Sequence, residues 1–428
     1  MTTQLLAARS GLLTEAMSAA AGAEGVPPEK VMEEIALGRA VLPANPRHGN
    51  LRPLVAGRAF RTKVNANIGL SPEKSSREQE LVKLQAALDA GADLVMDLSV
   101  GADLRSVRQS IIEACSVPLG TVPIYEALAR SKGGPRELSE DTLLEVISDQ
   151  ASQGVDFMTL HAGILREHVP LAARRKLGIA SRGGAILAEW MVTHDRENPF
   201  FSLWDRVMDI CLEHDITVSL GDGLRPGCLA DASDEAQFAE LDVLGDLVQR
   251  CRERGVQVMV EGPGHVPFGD IQMNMEREQR VCDDAPFYVL GPLVTDVAAG
   301  YDHIACAVGA TAAAFYGASM LCYVTPAEHL GLPTTDDVRD GVVACRIAAH
   351  AADVARGLPG ERDRDDAMAD ARAELDWEKQ FSLALDGDSA RSRYQSSNPT
   401  CESETDHCSM CGKDFCAVRT SKRLRDMV

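Results

Sequence analysis

The chain lacks any excess of basic residues. Its 428 residues hold 43 Lys and Arg against 64 Asp and Glu, a formal charge of −21. Nucleic acid is gripped by clustered Lys and Arg, so a nucleic-acid partner is not expected. A small anionic ligand needs only a local positive pocket and stays compatible with that balance. Also missing is the cysteine density of a secreted disulfide scaffold. Twelve cysteines, among them Cys115, Cys211, Cys228 and Cys251, are scattered along the chain, which suits a reducing compartment. The opening MTTQLLAARSGLLTEAM carries Arg9 and Glu15 where a secretory leader needs an apolar run, so a cytoplasmic protein is expected. The glycine fingerprint of dinucleotide-binding folds does not occur. Residues 304–327 carry no formal charge and reach transmembrane length. They are rich in Ala and Gly where insertion favours Leu, Ile and Phe, so no membrane span is expected. The stretch reads instead as a buried helix, Thr311 to Tyr316, leading into a buried strand, Met320 to Val324.

With 45% apolar residues, the chain can bury a large core. Residues 1–60 read as a helical lead-in, with helix starts at Thr14 and at Pro27-Pro28. Beyond them, short apolar runs alternate with amphipathic stretches. In one such stretch Leu81, Leu84 and Leu88 share a helical face between Ser75-Ser76 and Gly91. The runs are Val64 to Ile68, Leu94 to Leu98, Leu119 to Ile124, Phe157 to Leu160, Leu177 to Ala180, Ile216 to Leu220, Val256 to Val260 and Phe287 to Leu290. Eight β-like runs separated by helices predict an α/β fold with a closed (β/α)8 barrel over 61–335. A charged helical region follows over 336–385. Ser, Asn, Glu and Asp then dominate from Asp386 to His407, which predicts a flexible linker within a 386–428 tail.

Barrel enzymes take their functional groups from the C-terminal ends of the strands. Here those ends supply Asn67, Tyr125, His161, Ser181-Arg182-Gly183-Gly184, Asp222-Gly223-Leu224-Arg225, Glu261 and Tyr288. Any one of them could be a structural cap, but together they predict a ligand site. Ser181 to Gly184 is either a phosphate cradle, extended by Arg225, or a tight turn with a surface arginine. Asp222 and Glu261 are paired carboxylates able to move protons or to hold a cationic intermediate. His265 and His329 are candidate ligands of a Lewis-acid metal, zinc by default. His48, His168, His194, His214 and His350 read as surface or packing residues.

Near the end, Cys408, Cys411 and Cys416 are spaced C-x2-C-x4-C. Three thiolates at that spacing can hold an iron–sulfur cube with one iron open to another ligand. A zinc site would need a fourth ligand, for which the adjacent His407 is awkwardly placed. Structural thiols or a disulfide are the remaining readings. Two other functions stay open on these residues alone. One is a zinc-dependent barrel hydrolase or lyase with a structural zinc in its tail. The other is a non-catalytic iron–sulfur protein, which leaves the polar barrel rim unused.

The ordered motifs resemble the phosphomethylpyrimidine synthase family, radical S-adenosylmethionine enzymes of thiamine biosynthesis, in its short form. They are KVNANIG (63–69), MDLS (96–99), GTVPIY (120–125), HAG (161–163), SRGG (181–184), DGLRPG (222–227), EGPGHVP (261–267), APFYVLGPL (285–293), GYDHI (300–304), CYVTPAEHLGLP (322–333) and CSMCGKDFC (408–416). The resemblance implies that 5-aminoimidazole ribotide is rearranged to 4-amino-5-hydroxymethyl-2-methylpyrimidine phosphate. Formate, carbon monoxide, 5′-deoxyadenosine and methionine would be released. It implies a [4Fe–4S] cluster on Cys408, Cys411 and Cys416, with S-adenosylmethionine at the open iron. It implies Zn2+ or another divalent metal on His265 and His329. Asn67, Met96, Tyr125, His161, Ser181, Arg182, Gly183, Asp222 to Arg225, Glu261 and Tyr288 would line the ribotide pocket. An electron-donor protein and a homodimer are implied as partners. Val100 and Ala185 depart from the family pattern, which has threonine and serine there. They leave room for a related enzyme that turns the same ribotide into 5-hydroxybenzimidazole for a cobamide lower ligand.

Overall fold

Runs of Val, Leu, Ile and Ala with few charges bury both faces of a strand, and such strands belong in a parallel sheet covered by helices. A computed structural model bears this out. It describes residues 2–71, 74–101, 103–131, 133–398, 407, 409–425 and 427. Eight parallel strands close into a barrel: β1 (Lys63–Ile68), β2 (Leu94–Asp97), β3 (Leu119–Thr121), β4 (Phe157–Leu160), β5 (Thr217–Leu220), β6 (Val258–Gly262), β7 (Phe287–Leu290) and β8 (Met320–Cys322). Neighbours in sequence pair in order, and β8 closes the ring on β1 through Met320 opposite Lys63. The sequence cues also set the helix ends. Ser76 and Gln79 form a reciprocal capping box at the start of helix Arg77–Asp89. Gly154 and Gly255 end helices Glu140–Gln153 and Glu235–Arg254 in the left-handed conformation.

Two expected strands are corrected. Leu119 to Ile124 is a strand only over Leu119–Thr121, and Pro123 opens helix Pro123–Arg130, which carries Tyr125. Leu177 to Ala180 is not a strand but a loop. Gly178 sits at φ +63°, outside the extended region. The Asp231 carboxylate takes the N–H groups of Lys176 and Leu177, which removes them from any ladder. The eighth strand is β8, within the uncharged stretch, after a helix that runs from Asp302 to Tyr316. Among the described residues, no helix is long and apolar enough to cross a membrane.

The first 60 residues form helices Gln4–Arg9, Glu15–Glu24 and Pro28–Ala36 and a two-stranded pairing of Ala40–Val41 with Ala56–Gly57. They have a small core of their own around Met17, Val31, Ile35 and Leu42. They are fastened to residues one or two positions before barrel strands. Gln257 holds both backbone polar groups of Leu42. Asp156 accepts from Asn45 N at 2.8 Å and from the His48 ring at 2.7 Å. Asp215 accepts from Gln4 N at 3.1 Å. The lead-in thus covers the N-terminal end of the barrel and leaves the C-terminal rim for chemistry.

Asp215 yields a pH-dependent prediction. Burial raises its carboxyl to about 7, against hydrogen bonds from Gln4 N and Gln257 that favour the ionised form. An acid raised above its unfolded value near 3.9 costs stability that grows as pH rises from about 4 to 7. Asp215→Asn keeps an acceptor and suits the left-handed φ of +53°. It should therefore raise stability by roughly 1–3 kcal/mol at pH 8 and change little at pH 4. Urea denaturation at both pH values checks this; an equal effect at each would contradict it.

The chain forms two compact units, Met1–Ala352 and Asp353–Val428. The second contains helices Glu361–Glu374, Trp377–Leu383, Gly387–Ser397 and Ala417–Arg425. The first part of the expected linker is therefore helical. Asp386 caps helix Gly387–Ser397 by accepting from Ser389 N, and Tyr394 stacks near Trp377 and Phe381. Residues 399–406 lie outside the described residues.

Candidate active site

The C-terminal rim of the barrel opens on a cavity of 310 Å3, within the range of small-molecule sites. Asn67, Met96, Tyr125, His161, Arg182, Asp222, Arg225, Glu261 and Tyr288, all expected from sequence, line it. The period-two geometry of the strands explains why: in β1, Asn65 and Asn67 point to the same side, and Asn65 Nδ2 donates to Asn67 Oδ1 at 2.9 Å. Asn67 Nδ2 then reaches Cys322 Sγ at 3.1 Å.

The charged groups sit on adjoining strand ends. Asp222 Oδ1 accepts from Arg225 Nη1 at 3.0 Å, while Asp222 Oδ2 is buried without a protein partner. Burial pushes the Asp222 carboxyl up to about 8; Arg225 opposes the rise and Glu261 adds to it. Glu261 Oε1 accepts from Thr159 Oγ1 at 2.6 Å and Ser219 Oγ at 3.1 Å. Burial raises its carboxyl too, against those hydroxyls and Arg225. His161 is held neutral: burial and the Arg225 charge lower it to about 3. Its Nδ1 has no protein partner. Tyr288 OH reaches Met96 Sδ at 3.4 Å, and the Arg182 guanidinium lies 4.9 Å from the centre of the Tyr125 ring. The site therefore combines a neutral imidazole, raised carboxyls and two guanidinium groups.

The Ser181 segment differs from a strand end. Ser181 is the N-cap of helix Arg182–His194, and its Oγ accepts from Gly184 N at 3.1 Å. Gly183 and Gly184 are required by packing. A Cβ on Gly183 would strike the His161 ring, and one on Gly184 would strike the Gly223 carbonyl. Arg182 alone of this group extends into the cavity. Gly223 and Leu224 shape the β5 loop, with Leu224 fully buried.

His265 and His329 are brought together. Their ring centres are 5.2 Å apart. His265 Nδ1 bonds Asp296 at 2.8 Å, and His329 Nδ1 lies 3.6 Å from Asp302. The carboxylate behind His265 matches the arrangement common behind metal-ligating histidines. Two neighbouring imidazoles are donors of the kind that a divalent ion takes. Among the described residues, no group of three or more His, Cys, Asp and Glu could hold a metal. Of the thiol triplet, Cys411 is exposed and Cys416 buried, neither in a disulfide, and Cys408 lies outside the described residues.

Sequence reasoning missed Thr159, Cys322 and Glu328, which also line the cavity. Cys322 and Glu328 follow from counting β8 as a barrel strand. Thr159 is found only through the β4–β5–β6 register that faces it toward Glu261. A second cavity, of 600 Å3, shares Asn67, Leu98, Arg182 and Glu328 with the first and extends past Val100 to His329. Of the two departures from the family pattern, only Val100 lines a cavity. Ala185 is exposed on its helix.

Ionisable groups buried this deeply at the C-terminal ends of barrel strands mark a barrel enzyme. Comparison narrows the class: the chain belongs to the Radical SAM ThiC family, whose model matches residues 3–423. Membership in a radical S-adenosylmethionine family implies that molecule and an iron–sulfur cluster as cofactors. Curated relatives carry the name phosphomethylpyrimidine synthase. That of Halobacterium salinarum is 55% identical over 100% of this chain and 90% of its own. Those of Natronomonas pharaonis and Haloarcula marismortui are 57% and 56% identical over 100% and 99% of this chain and 89% and 88% of theirs. Among solved structures, a dihydropteroate synthase from Xanthomonas albilineans covers 74% of this chain and all of its own. Its identity is 13% and its TM-score 0.44, a likeness that bears on neither substrate nor site.

Proposed function

We propose that this enzyme is a phosphomethylpyrimidine synthase that rearranges 5-aminoimidazole ribotide to 4-amino-5-hydroxymethyl-2-methylpyrimidine phosphate, releasing formate and carbon monoxide. The observation that carries the reading is the convergence of Asn67, His161, Arg182, Asp222, Arg225, Glu261 and Tyr288 on one cavity. Full-length similarity to enzymes of that name supports it. Arg182 and Arg225 suit the ribotide phosphate. Asp222 and Glu261 suit the aminoimidazole, and a protonated Asp222 can donate to a ring nitrogen. His161, neutral across physiological pH, binds without adding charge. Bound together, S-adenosylmethionine and a [4Fe–4S] cluster on Cys408, Cys411 and Cys416 supply a 5′-deoxyadenosyl radical. Ribotide labelled with deuterium on the ribose should pass label into 5′-deoxyadenosine; unlabelled 5′-deoxyadenosine at full turnover would count against the reading.

His265 and His329 hold a divalent metal in this proposal, zinc by default. His329→Ala should remove one tightly bound divalent ion per chain without changing iron and sulfide content, as read by elemental analysis. Retention of that ion would contradict the ligand role. The stripe of Tyr301, Ile304, Val308 and Phe315, exposed at helical spacing, supports a homodimer. An electron-donor protein completes the set of partners.

A further inference from the structure

Behind the β5 loop lies a small cavity of 20 Å3, lined by Asp222, Arg225, Gln237, Glu240, Glu261 and Asn274 among others. That space is sufficient for one water molecule. Glu240, on helix Glu235–Arg254, is 2% exposed. Its Oε2 accepts from Leu224 N at 2.6 Å, and its Oε1 is buried with no protein partner. Asp222 mirrors it: Oδ1 is paired with Arg225, and Oδ2 has no protein partner. Two buried carboxyls therefore line one small cavity that Leu241, Leu244, Pro263 and Phe287 close on its apolar side, each carboxyl with one oxygen satisfied and one not.

The surrounding charges do not balance if both ionise. Glu261 adds a third carboxyl to the cavity, and Arg225 is the cation lining it. Arg175 acts on Glu240 from a distance, but its guanidinium is engaged by Asp234 at 2.6 Å. Gln237 donates to Asn274 at 2.7 Å and contributes no charge. Buried like charges cannot both form cheaply, so a proton stays on the pair.

We propose that Glu240 is a positioning residue of this site. It clamps the backbone of the loop that carries Asp222 and Arg225, and it shares one proton with Asp222 across the cavity through a single water. This inference rests on Asp222 facing the substrate. It gives Asp222 an O–H to offer a ligand while its proton is shielded from solvent on the side away from the substrate. Burial raises both carboxyls, and Asp222 adds to the rise at Glu240, so the shared proton is held through neutral pH.

The test is an infrared titration of the ligand-free protein from pH 5 to 9, following the protonated-carboxyl band, with Glu240→Gln and Asp222→Asn as reciprocal variants. The glutamine keeps an acceptor for Leu224 N and removes the charge. In wild type one carboxyl of the pair should stay protonated through neutral pH. In each variant the surviving carboxyl should titrate about 1 pH unit lower, because its like-charged neighbour is gone. Should Glu240→Gln fail to fold, Asp222→Asn reads the same coupling. Unchanged titration of the surviving carboxyl, or a fully ionised pair in wild type at pH 7, would overturn the proposal. In turnover, the alkaline limb of kcat/KM for Glu240→Gln should move acidward by a similar amount. A limb coincident with wild type would also overturn it. The titration uses no substrate, so it stands apart from the substrate assignment.

Discussion

Cys411→Ala should abolish turnover while leaving the barrel folded. Three thiolates are the minimum for holding a cube with one open iron, and no two of them can do so. Cys411 is exposed, so truncating it removes no buried packing. Loss of activity should therefore exceed about 1,000-fold, since without the cluster no radical forms and only the uncatalysed reaction remains. Iron and sulfide should fall to background, and the thermal transition of the barrel should not move. A variant that holds a full cube and turns over would remove Cys411 from the ligand set.

The second large effect is expected at Arg225. Its guanidinium pairs with Asp222 at 3.0 Å, lines the cavity and lowers the charged form of His161. Arg225→Ala removes a proposed phosphate donor and leaves Asp222 buried beside Glu261 without its guanidinium partner. Because the Asp222 carboxyl is raised to about 8, the loss at neutral pH is that of a hydrogen bond to a charged donor, about 1.5 kcal/mol, the low end because Arg225 is 23% exposed. Loss of a preorganised charged donor should lower kcat/KM by a further factor of about 100 to 1,000. Arg225→Lys should recover stability better than activity, because an ammonium restores charge but not the planar fork. Urea melts and ribotide binding by calorimetry separate the two effects. Equal stability of Arg225→Ala and wild type would show that the pair is solvated.

Much of this was legible in the sequence, for identifiable reasons. Strands that are buried on both faces announce themselves as apolar runs, and their polar termini mark the rim, so Asn67, Tyr125, His161, Asp222 and Glu261 could be named before the fold was seen. Leu177 to Ala180 misled because apolarity alone cannot register that Gly178 is left-handed and that Asp231 captures the neighbouring N–H groups. β8 was read from sequence as a buried strand from Met320 to Val324 but was left out of the eight, because it lies in one uncharged stretch with the alanine-rich helix before it. Counting it among the eight would have brought Cys322 and Glu328 into the site. Glu240 could not be read at all. It lies in the middle of a charged helical stretch, where a glutamate is normally solvated, and only the packing of helix Glu235–Arg254 against the β5 loop buries it. The polar composition of 387–397 likewise suggested chain without structure, whereas the Asp386 cap and the Trp377–Tyr394 contact make a helix of it.

The most direct test is anaerobic turnover of reconstituted protein with 5-aminoimidazole ribotide, S-adenosylmethionine and a strong reductant, followed by mass spectrometry. Hydroxymethylpyrimidine phosphate together with 5′-deoxyadenosine is the expected result. 5-Hydroxybenzimidazole in its place would contradict the thiamine assignment, and Val100, which lines the second cavity, would be the first residue to exchange. An absence of 5′-deoxyadenosine from cluster-loaded protein would contradict the proposed chemistry itself.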